Sequence, residues 1–248
     1  DPFTHGKDGQ AENNLPDPVT PLSDKNAVEL IIDTVKANPG EIYILCTGPM
    51  SNVAMAMKKA PEIKEMIAGI YAISGAFGEV QDEGAFGLNR YAYTNATGDT
   101  PQSEWNVYVD PEAADIVYNS GVKLVALGLD VATHFDVNLT DEDIRMLEES
   151  DKPEAKFFLQ AVHFVNERGF EAYCAVIDCM AVGYAIDATL VNTISGHVGI
   201  ETKSDLTLGM TVLDRRHHFV WESLPVVEIG ESADYERFLK LLMKLVLV

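Results

Sequence analysis

Ile42-Tyr43-Ile44-Leu45-Cys46-Thr47-Gly48-Pro49-Met50-Ser51-Asn52 is the stretch that decides how this chain folds. An unbroken apolar run with β-branched and aromatic residues suits a strand buried on both faces. Thr47-Gly48-Pro49 closes it with a turn, and Asn52 opens a helix through Val53, Ala54, Met57 and Lys58. Upstream, Ser23 or Asp24 is placed to cap a helix through Ala27, Val28, Leu30, Ile31 and Val35 that stops near Asn38-Pro39-Gly40. Downstream, the apolar runs at 67–73 and 122–129 are closed by Ser74-Gly75 and Asp130. Strands thus alternate with helices at βαβ spacings. The expected fold class is α/β, a mostly parallel central sheet with helices on both faces in three layers. Ligands in such sheets bind beyond the carboxyl ends of the strands. The turns holding Ser51, Ser74 and Asp130 are therefore where a site is expected.

Residues 78–102, with Tyr91 and Tyr93, make a long connection of the kind that covers functional sites. Asp110-Pro111 reads as a cap and first position of a helix. The spacing of Phe157, Phe158, Ala161, Val162 and Val165 predicts a helix over 153–168 with those residues inward. Residues 180–186 are apolar throughout and predict a buried helix, and 233–247 a surface-packed C-terminal one. With no repeat and no linker, 1–248 reads as one domain.

Composition narrows the function classes. The chain carries 39 Asp+Glu against 18 Lys+Arg, a net charge of −21. Such a chain does not follow a phosphate backbone or dock on an anionic bilayer, so neither nucleic acid nor membrane is an expected partner. No apolar run is long enough to span a bilayer. Residue 1 is Asp, and no signal peptide is read at the start. A soluble protein is expected, with the cytoplasm ahead of other compartments. Cys46, Cys174 and Cys179 are too few for a disulfide scaffold and read as buried, reduced thiols.

Four groups of residues could carry chemistry. His5-Gly6-Lys7-Asp8-Gly9 sets an imidazole on a tight turn. Glu104 and Asn106, two apart on extended chain, would point the same way and could grip vicinal hydroxyls. Asp178, before an apolar helix, is either a helix cap or a ligand for a hard cation. Asp214-Arg215-Arg216-His217-His218 reads as a solvated turn with local ion pairs. No phosphate-binding glycine loop and no Gly-x-Ser-x-Gly elbow is present.

Seven segments occur in one order: His5–Gly9, Thr47–Ala54, Ile73–Ala76, Glu104–Ala114, Leu129-Asp130, Ile177-Asp178 and Glu201–Arg216. Together they resemble the inosine–uridine-preferring nucleoside hydrolases over essentially the whole chain. The resemblance implies hydrolysis of the N-glycosidic bond of ribonucleosides with a bound Ca²⁺ and an activated water. It implies that Glu104, Asn106 and Ile73 contact the ribose, Ile73 through its backbone. It places His5 on the base side, and Asp178 with the backbone carbonyl of Ser51 on the calcium. A further ribose contact falls on Asn95, with Gly98-Asp99 the alternative by spacing. The family's Asp-x-Asp-Pro-Gly-x-Asp-Asp loop, which supplies most calcium carboxylates and the base, is absent, and with it the N-terminal strand. Ile177 stands where the family often has a proton-donating His, so Tyr91, Tyr93 or Trp221 would have to stack the base instead. A homo-oligomer, or a separate N-terminal chain completing the site, is expected. The other expectation is an inactive relative that only binds or assembles.

Overall fold

A computed structural model describes residues 2–77, 80–81, 90–91, 103–133, 137–170 and 172–248. After a short helix, α1 (Pro2–His5), and an irregular connection come α2 (Ala27–Ala37), β1 (Tyr43–Cys46), α3 (Ser51–Lys59) and β2 (Gly69–Ile73). Among the described residues, the strands β3 (Val80–Gln81) and β4 (Arg90–Tyr91) pair with each other alone. Next are α4 (Trp105–Val109), α5 (Pro111–Tyr118), β5 (Leu124–Leu127), α6 (Leu129–Ala132), α7 (Asp141–Glu148), α8 (Pro153–Glu167) and α9 (Cys179–Ile186). The chain closes with β6 (Val191–Ile200), β7 (Thr211–Leu213), β8 (Val226–Ala233) and α10 (Tyr235–Leu247).

The six-stranded sheet runs β1-β2-β5-β8-β6-β7. Strands β1, β2, β5 and β8 are parallel, while β6 and β7 add an antiparallel flank. The parallel part is the α/β sheet expected from the apolar runs, but β1, expected to be buried on both faces, is an edge strand with Tyr43 and Leu45 exposed. The flank left no such run, because β6 mixes Asn192, Ser195, Gly196 and His197 with its apolar residues on a half-exposed surface.

The central strands bury both faces. Leu124 and Ala126 of β5 join the core beneath α2, α3 and α5, with Val35, Met57 and Val117. Val125 and Leu127 face the opposite way, toward Phe158 of α8, Met180 of α9 and Phe238 of α10. A period of two with apolar residues on both sides is what produces an unbroken apolar run.

Two helix expectations are corrected. Asn26, not Ser23 or Asp24, caps α2, accepting from the Glu29 N–H at 3.0 Å. A capping side chain must stand directly before the first turn to reach the third N–H, and Ser23 instead accepts from Lys25 in a local turn. Helix α9 is buried only on one face: Val182 and Ile186 are 42% and 55% exposed. Asp110 caps α5 as expected, accepting from Ala113 at 3.0 Å.

The carboxyl ends of β1, β2 and β5 lie side by side, and α4 is pinned across them. The tip of the β6–β7 connection presses on α4: at Gly209 (φ +78) a Cβ would stand 2.6 Å from Tyr108 Cα. Gly209→Ala therefore forces α4 to move as well as straining the backbone. The expected loss is roughly 2–4 kcal/mol in urea unfolding. Gly121→Ala is the control: φ is +79 but nothing lies within 4 Å, so only the conformational cost of about 1–2 kcal/mol remains.

Candidate active site

The turn after β2 is held by side chains from three other segments. Gly75 N–H donates to Glu104 Oε2 at 3.2 Å, Ala76 N–H to Thr211 Oγ1 at 3.0 Å, and Phe77 N–H to Asp130 Oδ2 at 2.8 Å. Thr211 also donates to the Ala76 carbonyl at 2.9 Å. Ser74 is buried against the Tyr118 hydroxyl at 3.1 Å. Ser74 and Asp130, expected near the site, thus build the backbone under it.

Glu104 and Asn106 do not share one extended strand: Glu104 is extended, but Asn106 already lies in the first turn of α4. Glu104 caps α4, with Oε1 accepting from Asn106 N–H at 2.8 Å and Oε2 from Val107 N–H at 3.1 Å. Glu is an uncommon cap; here the Gly75 N–H, which only the fold brings near, supplies a third donor. Glu104 is 4% exposed. Burial pushes its carboxyl up to about 7 against the pull of the three N–H groups, and Asp178 adds to the rise. Asn106 donates from Nδ2 to the Ile73 carbonyl at 3.0 Å. Helical geometry still brings these two side chains to one place, because the cap folds back over the first turn.

A cavity of about 670 Å³ opens above these groups. Glu104, Asn106, Ile73 and Asp178 line it, with Thr47-Gly48-Pro49 from the end of β1 and His5 at its mouth. Asp178 stands at the start of α9, but its side chain caps no N–H there. Enclosure by the cavity pushes its carboxyl up to about 6. Burial holds the His5 imidazole below its usual value. Ser51 is not on the cavity surface; it begins α3, and its hydroxyl donates to Asp110. Asn95 and Tyr93 lie outside the described residues, as does most of the 78–102 connection.

The far wall is aromatic. Phe157, Phe164 and Phe170 line it, with Trp105 across from them. Phe157 was expected in the core but is 40% exposed; helix α8 has a wider apolar stripe than its core contact needs, and the excess faces the cavity. Phe3 meets Phe170 edge-on at 5.9 Å, and the Arg168 guanidinium lies over the Phe164 ring at 3.3 Å. Trp221 does not serve here. It packs on Gly199 and lies 5.4 Å from the Arg216 guanidinium. Arg216 in turn pairs with Asp214 at 2.9 Å, so the 214–218 cluster is a turn held by local ion pairs. Trp105, Phe164, Phe170 and Arg168 were not singled out from the sequence, where aromatic residues at such spacings read simply as core.

The described residues do not complete a calcium site. Calcium takes six to eight oxygens. Among the described residues no group of three or more His, Cys, Asp or Glu side chains could hold a metal ion. Glu104 is occupied by N–H donors, which leaves Asp178 as the cavity carboxylate with no such partner.

Comparison with known proteins places this geometry. The family model described as inosine-uridine preferring nucleoside hydrolase matches residues 1–240. The pyrimidine-specific ribonucleoside hydrolase RihA of Salmonella arizonae is 31% identical over 244 residues, 96% of this chain and 71% of that protein. A purine-preferring ribonucleoside hydrolase from Gardnerella vaginalis superposes with a TM-score of 0.78 at 28% identity, over 99% of this chain and 72% of that one. A plant nucleoside hydrolase gives 0.80 at 25% identity, covering 99% and 74%. With its sheet, its cavity and these matches in agreement, the chain belongs to the inosine–uridine preferring nucleoside hydrolase family of enzymes.

Proposed function

We propose that this chain hydrolyses the N-glycosidic bond of ribonucleosides to ribose and free base. Glu104 and Asn106 hold the ribose, and the aromatic wall takes the base. The observation that carries this is how little hydrogen-bonding capacity these two residues have left. A carboxylate offers about four lone-pair sites. Three N–H donors occupy Glu104, leaving one on Oε1. Asn106 uses one N–H on Ile73 and keeps the other with its Oδ1. Adjacent groups that accept from one hydroxyl and donate to another suit a vicinal diol. Ile73, whose carbonyl already accepts from Asn106, lines the same cavity.

As the base departs, positive charge grows on the sugar. Ionised Glu104 and Asp178 stabilise it in a site of low dielectric. Ile177 has no proton to give the leaving base. Among the described residues, the rings of Phe157 and Trp105, with the imidazole of His5, are the groups available to it. The relatives named for pyrimidine and for purine nucleosides leave either base class open to this cavity.

Calcium belongs to this proposal with an incomplete shell. Asp178 would hold it from this chain; Ser51, the other ligand the resemblance assigns, does not line the cavity, and the remaining oxygens would have to come from groups other than the described residues. A bound cation would supply the acidified water. The incomplete shell also favours a second reading, a chain that binds nucleosides without turnover. The outer edge of β1 has no strand partner among the described residues, and Tyr43 there is 50% exposed. That edge supports a second copy, or a separate chain that completes the site.

Incubation with inosine or uridine and calcium is expected to release ribose, measured as reducing sugar. Nucleoside binding without ribose release would instead establish the second reading. Glu104→Ala and Asn106→Ala should each lower kcat/KM by about 100-fold and loosen the α4 junction they hold, with circular dichroism checking that the secondary structure is otherwise retained. Asp178→Asn should weaken calcium binding by at least about tenfold in calorimetric titration.

The raised carboxyl of Glu104 gives opposite pH trends. Between its ordinary 4.5 and about 7 the native state binds more protons than the unfolded chain. Stability therefore rises as pH falls through that window, by roughly 3 kcal/mol from this group. Nucleoside affinity falls over the same window, because the ribose hydroxyl needs the ionised form. Urea midpoints and nucleoside titrations at pH 5 and 7.5 check both trends, and Glu104→Gln should flatten both.

A further inference from the structure

Residues 5–14 form a hook with no part in the ribose chemistry above. Ala11 and Glu12 (φ 57 each) and Asn14 (φ 50) are left-handed, as are Gly6 and Gly9. Residues with a Cβ disfavour that conformation, so something must hold it. The Asp8 carboxylate does: Oδ1 accepts from Gln10 N–H at 2.8 Å and Glu12 N–H at 2.9 Å, and Oδ2 from Asn14 N–H at 3.2 Å. Ala11 N–H closes the hook on the His5 carbonyl at 2.8 Å. Two bonds then tie it to α8. Gln160 Nε2 donates to the Ala11 carbonyl at 2.9 Å, and Asn13 Nδ2 to the Phe157 carbonyl at 3.3 Å. The hook presents His5, Gln10 and Ala11 to the cavity, and α8 presents Phe157, Ala161 and Phe164.

We propose that Asp8 is a positioning residue for base recognition: its carboxylate, with Gln160 as tether, fixes the gap between hook and α8 that receives the planar base. This rests on the nucleoside reading above. Asp8 touches no substrate itself. It acts through the N–H groups that shape the wall bearing His5, and removing it leaves the ribose groups on α4 in place. Gly6 shows how closely the hook is wrapped: a Cβ there would lie 3.0 Å from Glu12 N and 3.1 Å from Asp8 Oδ1.

Calorimetric titration of the full chain with inosine, uridine and free ribose tests it. Asp8→Ala is expected to weaken the nucleoside roughly tenfold through lost preorganisation, and ribose less than about twofold. Asp8→Asn should recover nucleoside binding to within about threefold, since its carbonyl oxygen still accepts from Gln10 and Glu12. Gln160→Ala, on the other wall, should reproduce the selective loss and stands as the test if Asp8→Ala does not fold. Nucleoside affinity unchanged in Asp8→Ala, or nucleoside and ribose lost in equal proportion, overturns the proposal. A wild-type chain that binds neither overturns the nucleoside reading along with it, whereas wild-type binding with an unaffected Asp8→Ala overturns this proposal alone.

Discussion

Taking a carboxylate out of water costs several kcal/mol unless donors replace the lost hydration, and Glu104 is buried with three backbone N–H groups around it. Two of those donors belong to the first turn of α4 and the third to the turn after β2. One side chain therefore fixes where α4 lies across the ends of the strands. The Asn106 amide, bonded to the Ile73 carbonyl, locks the same junction from the other side. In the proposed reading, the groups offered to a sugar are the unused capacities of the groups that hold the junction together. Structure and recognition here have one cause, and neither Glu104 nor Asn106 can be altered without disturbing both.

Around that junction the cavity has two unlike halves. Its floor is polar and rigid, made from the ends of parallel strands and a turn whose consecutive N–H groups are each taken by a different side chain. Its wall is aromatic, from Phe157 and Phe164 of α8 with Phe170 and Trp105, and the hook at the start of the chain sets His5 beside it. A molecule with a hydroxyl-bearing ring at one end and a flat apolar ring at the other matches the two halves. The large negative charge has little to do with this. Most carboxylates are at the surface, some in exposed pairs such as Asp33 with Lys25 at 2.7 Å, which contribute little to stability.

Several sequence expectations fell short for the same reason. Phe157 and the exposed residues of α9 read as core because periodicity tells which face is apolar, not what covers it. Trp221 looked available to a base because an aromatic residue in a loop shows no partner in sequence, while the fold sets it on Gly199. Glu104 and Asn106 were placed on extended chain because Glu seldom caps a helix, and the donor that makes it do so comes from Gly75, 29 residues away.

By itself the sequence determined the parallel sheet, since strands buried on both faces must be written as unbroken apolar runs closed by turns. It also determined the identity of the polar groups, because carboxylate, carboxamide and imidazole chemistry is a property of residue type. Only the tertiary structure decided that Glu104, Asn106, Ile73 and Asp178 share one cavity, that Ser51 stands behind it bonded to Asp110, and which aromatic residues form its wall. Contacts between distant segments depend on how helices settle on the sheet, and that packing is set by the whole core rather than by any local pattern.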